Sequence, residues 1–184
     1  MAYKKWIVRS ADKEKATELS EKFNMDAFIA YLLVSRGFDD ALSVGTFIGD
    51  SFVSVSPFNF ADMEEAAFCI GDAIDMGEKI CIYGDYDCDG VTSTALLYSF
   101  LKDEGADVFY YIPSREGEGY GLNNAAIDKI HEKGADLIIT VDNGISSIEE
   151  AEYIYSLGMR LVVTDHHQLS DTLPRAEAVI HPYR

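Results

Sequence analysis

The chain has 184 residues, is 48% hydrophobic and carries 15 Lys+Arg against 32 Asp+Glu, a net charge of −17. That length and composition support one sizeable core with a smaller appended region, and no apolar run reaches the roughly 18 residues that span a bilayer. The acidity argues against a nucleic-acid surface built from bulk charge, unless cations neutralise part of it. The start, MAYKKWIVRSADKEK, lacks the apolar core of a secretion signal, and the three cysteines, Cys69, Cys81 and Cys88, form no C-x-x-C pair. Both features fit a cytoplasmic protein with free thiols.

In chain order, residues 1–60 read as a helical arm or cap. DKEKATELSEKF and DAFIAYLLVSRGF have amphipathic helical patterning, DDALSVGTFIG makes a shorter helix, and SFVSVSPFNF is a loop containing Pro57. Residues 61–184 read as a second domain. ADMEEAAFCIGDAIDMG is a helix, and then a pattern repeats: a helix ends at glycine and a short apolar run follows. The runs are ICIY, VFYYI, LIITV, LVVT and, near the end, AEAVI. They are continuously apolar and rich in β-branched or aromatic residues, as strands buried on both faces are. Gly77, Gly105, Gly134 and Gly158 are the expected helix-terminating positions. The segments VTSTALLYSFLKDE, NNAAIDKIHEK and SIEEAEYIYSL separate the runs at helix length. The fold class is therefore α/β, a parallel, Rossmann-like wound sheet of about five strands.

Wound sheets bind ligands outside the carboxyl ends of their strands. Asp85, Asp87 and Asp89 of YGDYDCDG follow the first strand, Asp142 follows LIITV, and Asp165-His166-His167 follows LVVT. One acid at a strand tip is often only the N-cap of the next helix. Three tips together, one with two histidines, are not explained by capping. A calcium loop starting at Asp85 would need a carboxylate at its twelfth position, where Leu96 stands. An aspartyl-phosphate pair, Asp87 and Asp89, should follow its strand directly, and it leaves Asp142 and the histidines without a role. Mixed carboxylate and imidazole ligation suits Mn²⁺ or Mg²⁺ better than Zn²⁺. Two such ions close together can activate water and stabilise a leaving oxygen in phosphoester hydrolysis.

GDYDCDG, VDNGIS and TDHH, in that order on successive strand tips, resemble the motifs of the DHH phosphoesterases, and among them the RecJ-type exonucleases. KKWIVR, LLVSRGF, YYIPSR with EGYGL, and HPYR extend the likeness over essentially the whole chain. The resemblance implies 5′→3′ exonuclease action on single-stranded DNA, releasing 5′-mononucleotides in DNA repair and recombination. It also implies a two-ion Mn²⁺ centre, with Mg²⁺ as the alternative, and a single-strand-binding protein and a RecQ-type helicase as partners. Residue by residue, Asp85 and Asp87 would bind one ion each and Asp142 would bridge them. His166 would join Asp87 on its ion, His167 would touch the scissile phosphate, and Asp165 would orient the histidines. Asp89 and Gly90 would support the site as helix cap and tight turn, with Asn143 and Gly144 in the second motif.

Arg115 resembles the arginine with which the family grips phosphate. Tyr120, Tyr110 and Tyr111 are candidates to stack on bases, as aromatic residues do in holding single strands, with a core position in the strand the preferred reading for Tyr110 and Tyr111. His131 is a surface residue, and His181 has no assigned role. Tyr83 stands where some relatives carry a metal-binding histidine, which predicts a weaker first site. The family's last metal-binding Asp and its second domain would lie after Arg184, so the chain is expected to be incomplete and weakly active alone. Two rival readings are a DHH hydrolase of small phosphates (pyrophosphate, short oligonucleotides or cyclic dinucleotides) and an inactive fragment that binds metal or a partner.

Overall fold

The structure is a computed structural model that describes residues 9–49 and 56–184. KKWIV and the SFVSV part of the expected loop lie outside the described residues. Contacts divide the chain into two compact units, 1–54 and 55–184.

The first unit holds three helices, α1 (Lys13–Phe23), α2 (Ala27–Ser35) and α3 (Ala41–Ile48). Each starts at an aspartate whose side chain accepts backbone N–H groups: Asp12 from Glu14 and Lys15, Asp26 from Phe28, and Asp40 from Leu42 and Ser43. Ser43 returns the bond to Asp40, completing a capping box. Ala16, Leu19, Ala30, Leu33 and Val44 form its small core.

In the second unit a 3₁₀ turn at Pro57–Asn59 precedes α4 (Met63–Asp75) and β1 (Lys79–Tyr83). Then come α5 (Cys88–Asp103), β2 (Asp107–Tyr111), α6 (Asn124–Glu132), β3 (Leu137–Val141), α7 (Ile148–Ser156), β4 (Arg160–Thr164) and β5 (Ala178–Ile180). The five strands are parallel, in the order β2-β1-β3-β4-β5. Alternate side chains go to opposite faces. Cys81, Tyr83, Ile138, Leu161 and Val163 pack with Ala126, Ile127, Ile130, Ala151 and Ile154 of α6 and α7. Ile80, Ile82, Leu137, Ile139 and Val162 pack on the other face with Ala66, Cys69 and Ala73 of α4 and Leu101 of α5. Each of these isoleucines and leucines is completely buried, or within 1% of it, and such burial contributes about 1.5–3 kcal/mol per side chain.

The four expected helix ends are present. Gly77, Gly105, Gly134 and Gly158 have φ between +69° and +86°, and each is followed by a residue whose N–H reaches back to the last helical turn. α5 begins at Cys88, three residues before the VTST start that the sequence suggests, because Asp87 and not a later residue caps it. The expectation that VFYYI is buried on both faces is wrong for β2. It is an edge strand, with Tyr110 54% exposed against the edge of the Tyr98 ring and Tyr111 half-buried. β5, the opposite edge, is three residues long, and its Val179 is held from outside the sheet: Asp62 accepts its N–H and Arg184 donates to its C=O. That arrangement blunts the exposed edge.

Chain order in the sheet reverses at β1. One crossover leads from β1 to β2 on one side, and the next carries the chain back past β1 to β3 on the other. The crevice at the carboxyl ends of β1 and β3 is where such folds place ligands.

Candidate metal centre

β1 delivers Asp85 and Asp87 to that crevice, β3 delivers Asp142, and β4 delivers Asp165, His166 and His167. One oxygen each from Asp85, Asp87 and Asp142 lies within 4.8 Å of the other two, and Asp142, His166 and His167 form a second group of the same tightness. Asp142 belongs to both groups.

Asp85 and Asp142 are buried. Asp85 Oδ1 and Asp142 Oδ2 have no hydrogen-bond partner among the described residues, and neither have Thr140 Oγ1 and Asn143 Oδ1 close by in the chain. A buried acceptor left unpaired costs about 1–3 kcal/mol, more when charged. Two buried carboxylates, each with an unpaired oxygen and both close to a third carboxylate, fit a divalent cation, whose ligand shell would satisfy them. Asp142 also sits at φ +63°, a left-handed conformation that non-glycine residues rarely adopt. Gly144, at φ +105°, follows it and leaves room for Thr140: a Cβ there would come within 2.8 Å of Thr140 Oγ1. Asn143 braces the turn, its Nδ2 donating to Val141 O at 2.9 Å and Tyr83 O at 3.2 Å.

Burial, reinforced by Asp89 and Asp87, raises the pKa of Asp142 above the ordinary carboxylate value, although His166 Nε2, at 2.8 Å from Oδ1, pulls it down. Asp87 is shifted the opposite way, held low first by the Gly90 N–H at 3.0 Å. Burial pushes Asp165 up as well, but the N–H groups of Ile145, His166 and His167 and the His167 ring together hold it below its usual range. Asp165 in turn raises the His167 pKa, chiefly through the 2.6 Å bond to Nδ1. An ionised Asp165 accepts from Nδ1–H and favours the imidazolium, in which Nε2 carries a proton as well.

Tyr120 stands against that ring, its hydroxyl 3.1 Å from His167 Nδ1 and 3.2 Å from Nε2. Burial and the surrounding anions Asp165, Asp85, Asp142 and Asp87 raise its pKa, so it remains a donor. The sequence suggested a base-stacking tyrosine; the structure engages its hydroxyl with a histidine. Its loop is pinned by Glu118, which accepts from Lys129, Tyr111 and the Ser114 N–H and is held at a pKa of about 2 by them. Arg115 lies in the same loop, its guanidinium 5.4 Å from the centre of the Tyr86 ring, between the two first-motif acids in sequence.

Several expectations need correction. Asp89 is not the cap of α5: that is Asp87, while the Asp89 carboxylate is exposed in the first helical turn, 3.7 Å from His166 Nε2. Gly90 is not a turn residue but helical. Its lack of a side chain matters because a Cβ would lie 2.6 Å from both Cβ and O of Asp85. Tyr83 is buried in the core, donating to Gly121 O and accepting from Asn123 Nδ2, and so offers no ligand to the crevice, in keeping with the histidine it replaces in some relatives. His181, to which the sequence assigned nothing, is completely buried. Its Nδ1 accepts the Tyr183 N–H, which leaves Nε2–H to donate to His167 O at 2.7 Å. Its only sequence signal was the HPYR ending.

A doubly wound parallel sheet with carboxylates and imidazoles gathered at its switch point defines an α/β protein with a candidate cation centre at its carboxyl edge. Comparison gives the family: the profile described as "DHH family, N-terminal domain" matches residues 79–184, and the chain belongs to that family. The single-stranded-DNA-specific exonuclease RecJ of Bacillus subtilis (strain 168) is 43% identical over 179 residues, 97% of this chain but 23% of the relative. A crystal structure of exonuclease RecJ bound to manganese aligns with TM-score 0.65 and 36% identity over 71% of this chain and 33% of that one. RecJ from Thermus thermophilus in complex with Mn²⁺ aligns with TM-score 0.60 and 26% identity over 96% of this chain and 24% of that one. The chain thus spans about a quarter of the length of the curated relative it matches.

Proposed function

We propose that this chain carries metal-dependent phosphodiester hydrolysis of the RecJ type, acting 5′→3′ on single-stranded DNA in the cytoplasm. The observation that carries the reading is the pair of ligand groups sharing Asp142, with buried oxygens of Asp85 and Asp142 left unpaired. Asp85, Asp87, Asp142 and His166 are the residues that would hold two divalent ions, Mn²⁺ or Mg²⁺. Such ions neutralise the carboxylates, polarise a phosphodiester and lower the pKa of water. The chain's own part is positioning. Asp165 holds the His167 ring at the cluster and favours its protonated form, whose Nε2–H would donate to a phosphate oxygen once Tyr120 gives way, and Arg115 beside Tyr86 supplies a planar cation for the backbone.

The test is hydrolysis of a 5′-phosphorylated single strand by this chain in Mn²⁺ at low salt. Nucleotides released one by one from the 5′ end, and lost with His167→Ala, are expected; an unchanged rate in that variant would remove His167 from the reaction. Arg115→Ala is expected to raise KM for single-stranded DNA and to flatten the dependence of log affinity on log salt by about 0.7. An unaltered salt slope would mean that Arg115 does not touch the backbone.

A further inference from the structure

One face of the metal centre opens into a cavity of about 400 Å³. Asp89, Asp142 and His166 line it together with the apolar side chains of Phe60, Ile180 and Pro182. Phe60 belongs to none of the motifs. It follows the Pro57–Asn59 turn, its N–H bonded back to Pro57 O, and two residues later Asp62 is tied to Val179 N–H and to Arg184. The backbone that carries the ring is therefore tied down on both sides, and the residue stays 37% exposed. An aromatic ring fixed at the rim of an acidic cluster, with nothing in the motifs to account for it, calls for a ligand with two ends.

We infer that this cavity is a nucleobase subsite, in which the base of the nucleotide whose phosphate lies at the acidic cluster stacks on Phe60 against Ile180 and Pro182. The inference rests on the reading of the cluster as a phosphodiester site and adds to it where the base goes. A nucleotide has the required form, an anionic head for the cation end and a planar apolar body for the other, and 400 Å³ accommodates it. The two lining hydroxyls are already engaged as donors: Ser93 Oγ to Asp89 O at 2.6 Å and Thr164 Oγ1 to Thr140 O at 2.7 Å. The walls therefore offer stacking and burial without edge-specific donors, and binding should tolerate all four bases, as stacking sites do.

The experiment is equilibrium titration of the chain in Mn²⁺ with deoxyadenosine 5′-monophosphate and with 2-deoxyribose 5-phosphate, which keeps the phosphate and lacks the base. The nucleotide should bind on the order of tenfold tighter. Phe60→Ala should remove that difference and leave the sugar phosphate unaffected. Phe60→Trp should restore it, with tryptophan fluorescence quenched by the nucleotide and not by the sugar phosphate. Equal binding of the two ligands to the unaltered chain, or a difference that survives Phe60→Ala, overturns the subsite while leaving the phosphate site standing. Absence of binding by both ligands overturns the phosphate site, and the subsite with it.

Discussion

Asp142→Asn is expected to lower Mn²⁺ affinity at least about a hundredfold and, in the same protein stripped of metal, to raise thermal stability. The first effect follows from the place of Asp142 in both ligand groups, so that loss of its charge weakens each ion and leaves their mutual repulsion less screened. Changes to residues that merely orient ligands cost about 10–100-fold in affinity, and a shared ligand should exceed that. The second effect has the opposite sign for a related reason. Burial and the neighbouring acids raise the Asp142 pKa in the folded chain. A carboxyl with a raised folded pKa contributes its full share of stability below the unfolded value and loses it as pH climbs through the folded value. At neutral pH the ionised group is therefore a net cost without a cation, and asparagine removes it. Asparagine also tolerates φ +63° and can still accept from His166, so the fold is not the casualty. Calorimetric titration with Mn²⁺ and melting in chelator check the two arms; unchanged affinity would take Asp142 out of the site.

Some of the site could be read in the sequence because charged residues are out of place directly after buried strands. Carboxylates stand out against the apolar strands preceding them, and strand–helix alternation puts their positions on one edge. The helix ends were legible for a comparable reason, since a left-handed C′ residue selects glycine and the next strand announces itself by its apolar run. What stayed hidden depended on pairings that local patterning does not encode. Asp87 and Asp89 are chemically identical cap candidates, and only the start of α5 at Cys88 decides between them. β2 reads like a central strand because aromatic and β-branched residues serve edge and centre alike. Phe60 is held through Asp62 by Val179 and Arg184, 117 and 122 residues further along, and His181 meets His167 through a backbone carbonyl. Neither arrangement leaves a spacing to read.

Gly90→Ala is expected to destabilise the metal-free chain by about 2 kcal/mol and to weaken Mn²⁺ binding at least tenfold, roughly, although it puts the best helix former into a helix. On propensity alone the change should stabilise by up to about 1 kcal/mol. Space decides otherwise. The new Cβ would lie 2.6 Å from the Cβ and carbonyl oxygen of Asp85 and 2.7 Å from its carbonyl carbon. Those are largely backbone atoms at the end of β1, so no side-chain rotation relieves the clash. The first turn of α5 must retreat from the strand. Asp87 caps the helix by accepting the Gly90 N–H, so retreat also pulls Asp87 from Asp85 and Asp142, and the three-carboxylate group opens. Gly71, helical in α4 with nothing within 4 Å of its virtual Cβ, is the internal control. Gly71→Ala should gain what propensity gives and leave metal affinity alone. At about 2–4 °C per kcal/mol for a chain of this size, thermal melts should show Gly90→Ala falling by about 4–8 °C and Gly71→Ala rising by a few degrees. A rise in both would mean that the approach of α5 to Asp85 is looser than the structure has it, and that Gly90 is not what lets the first-motif acids converge.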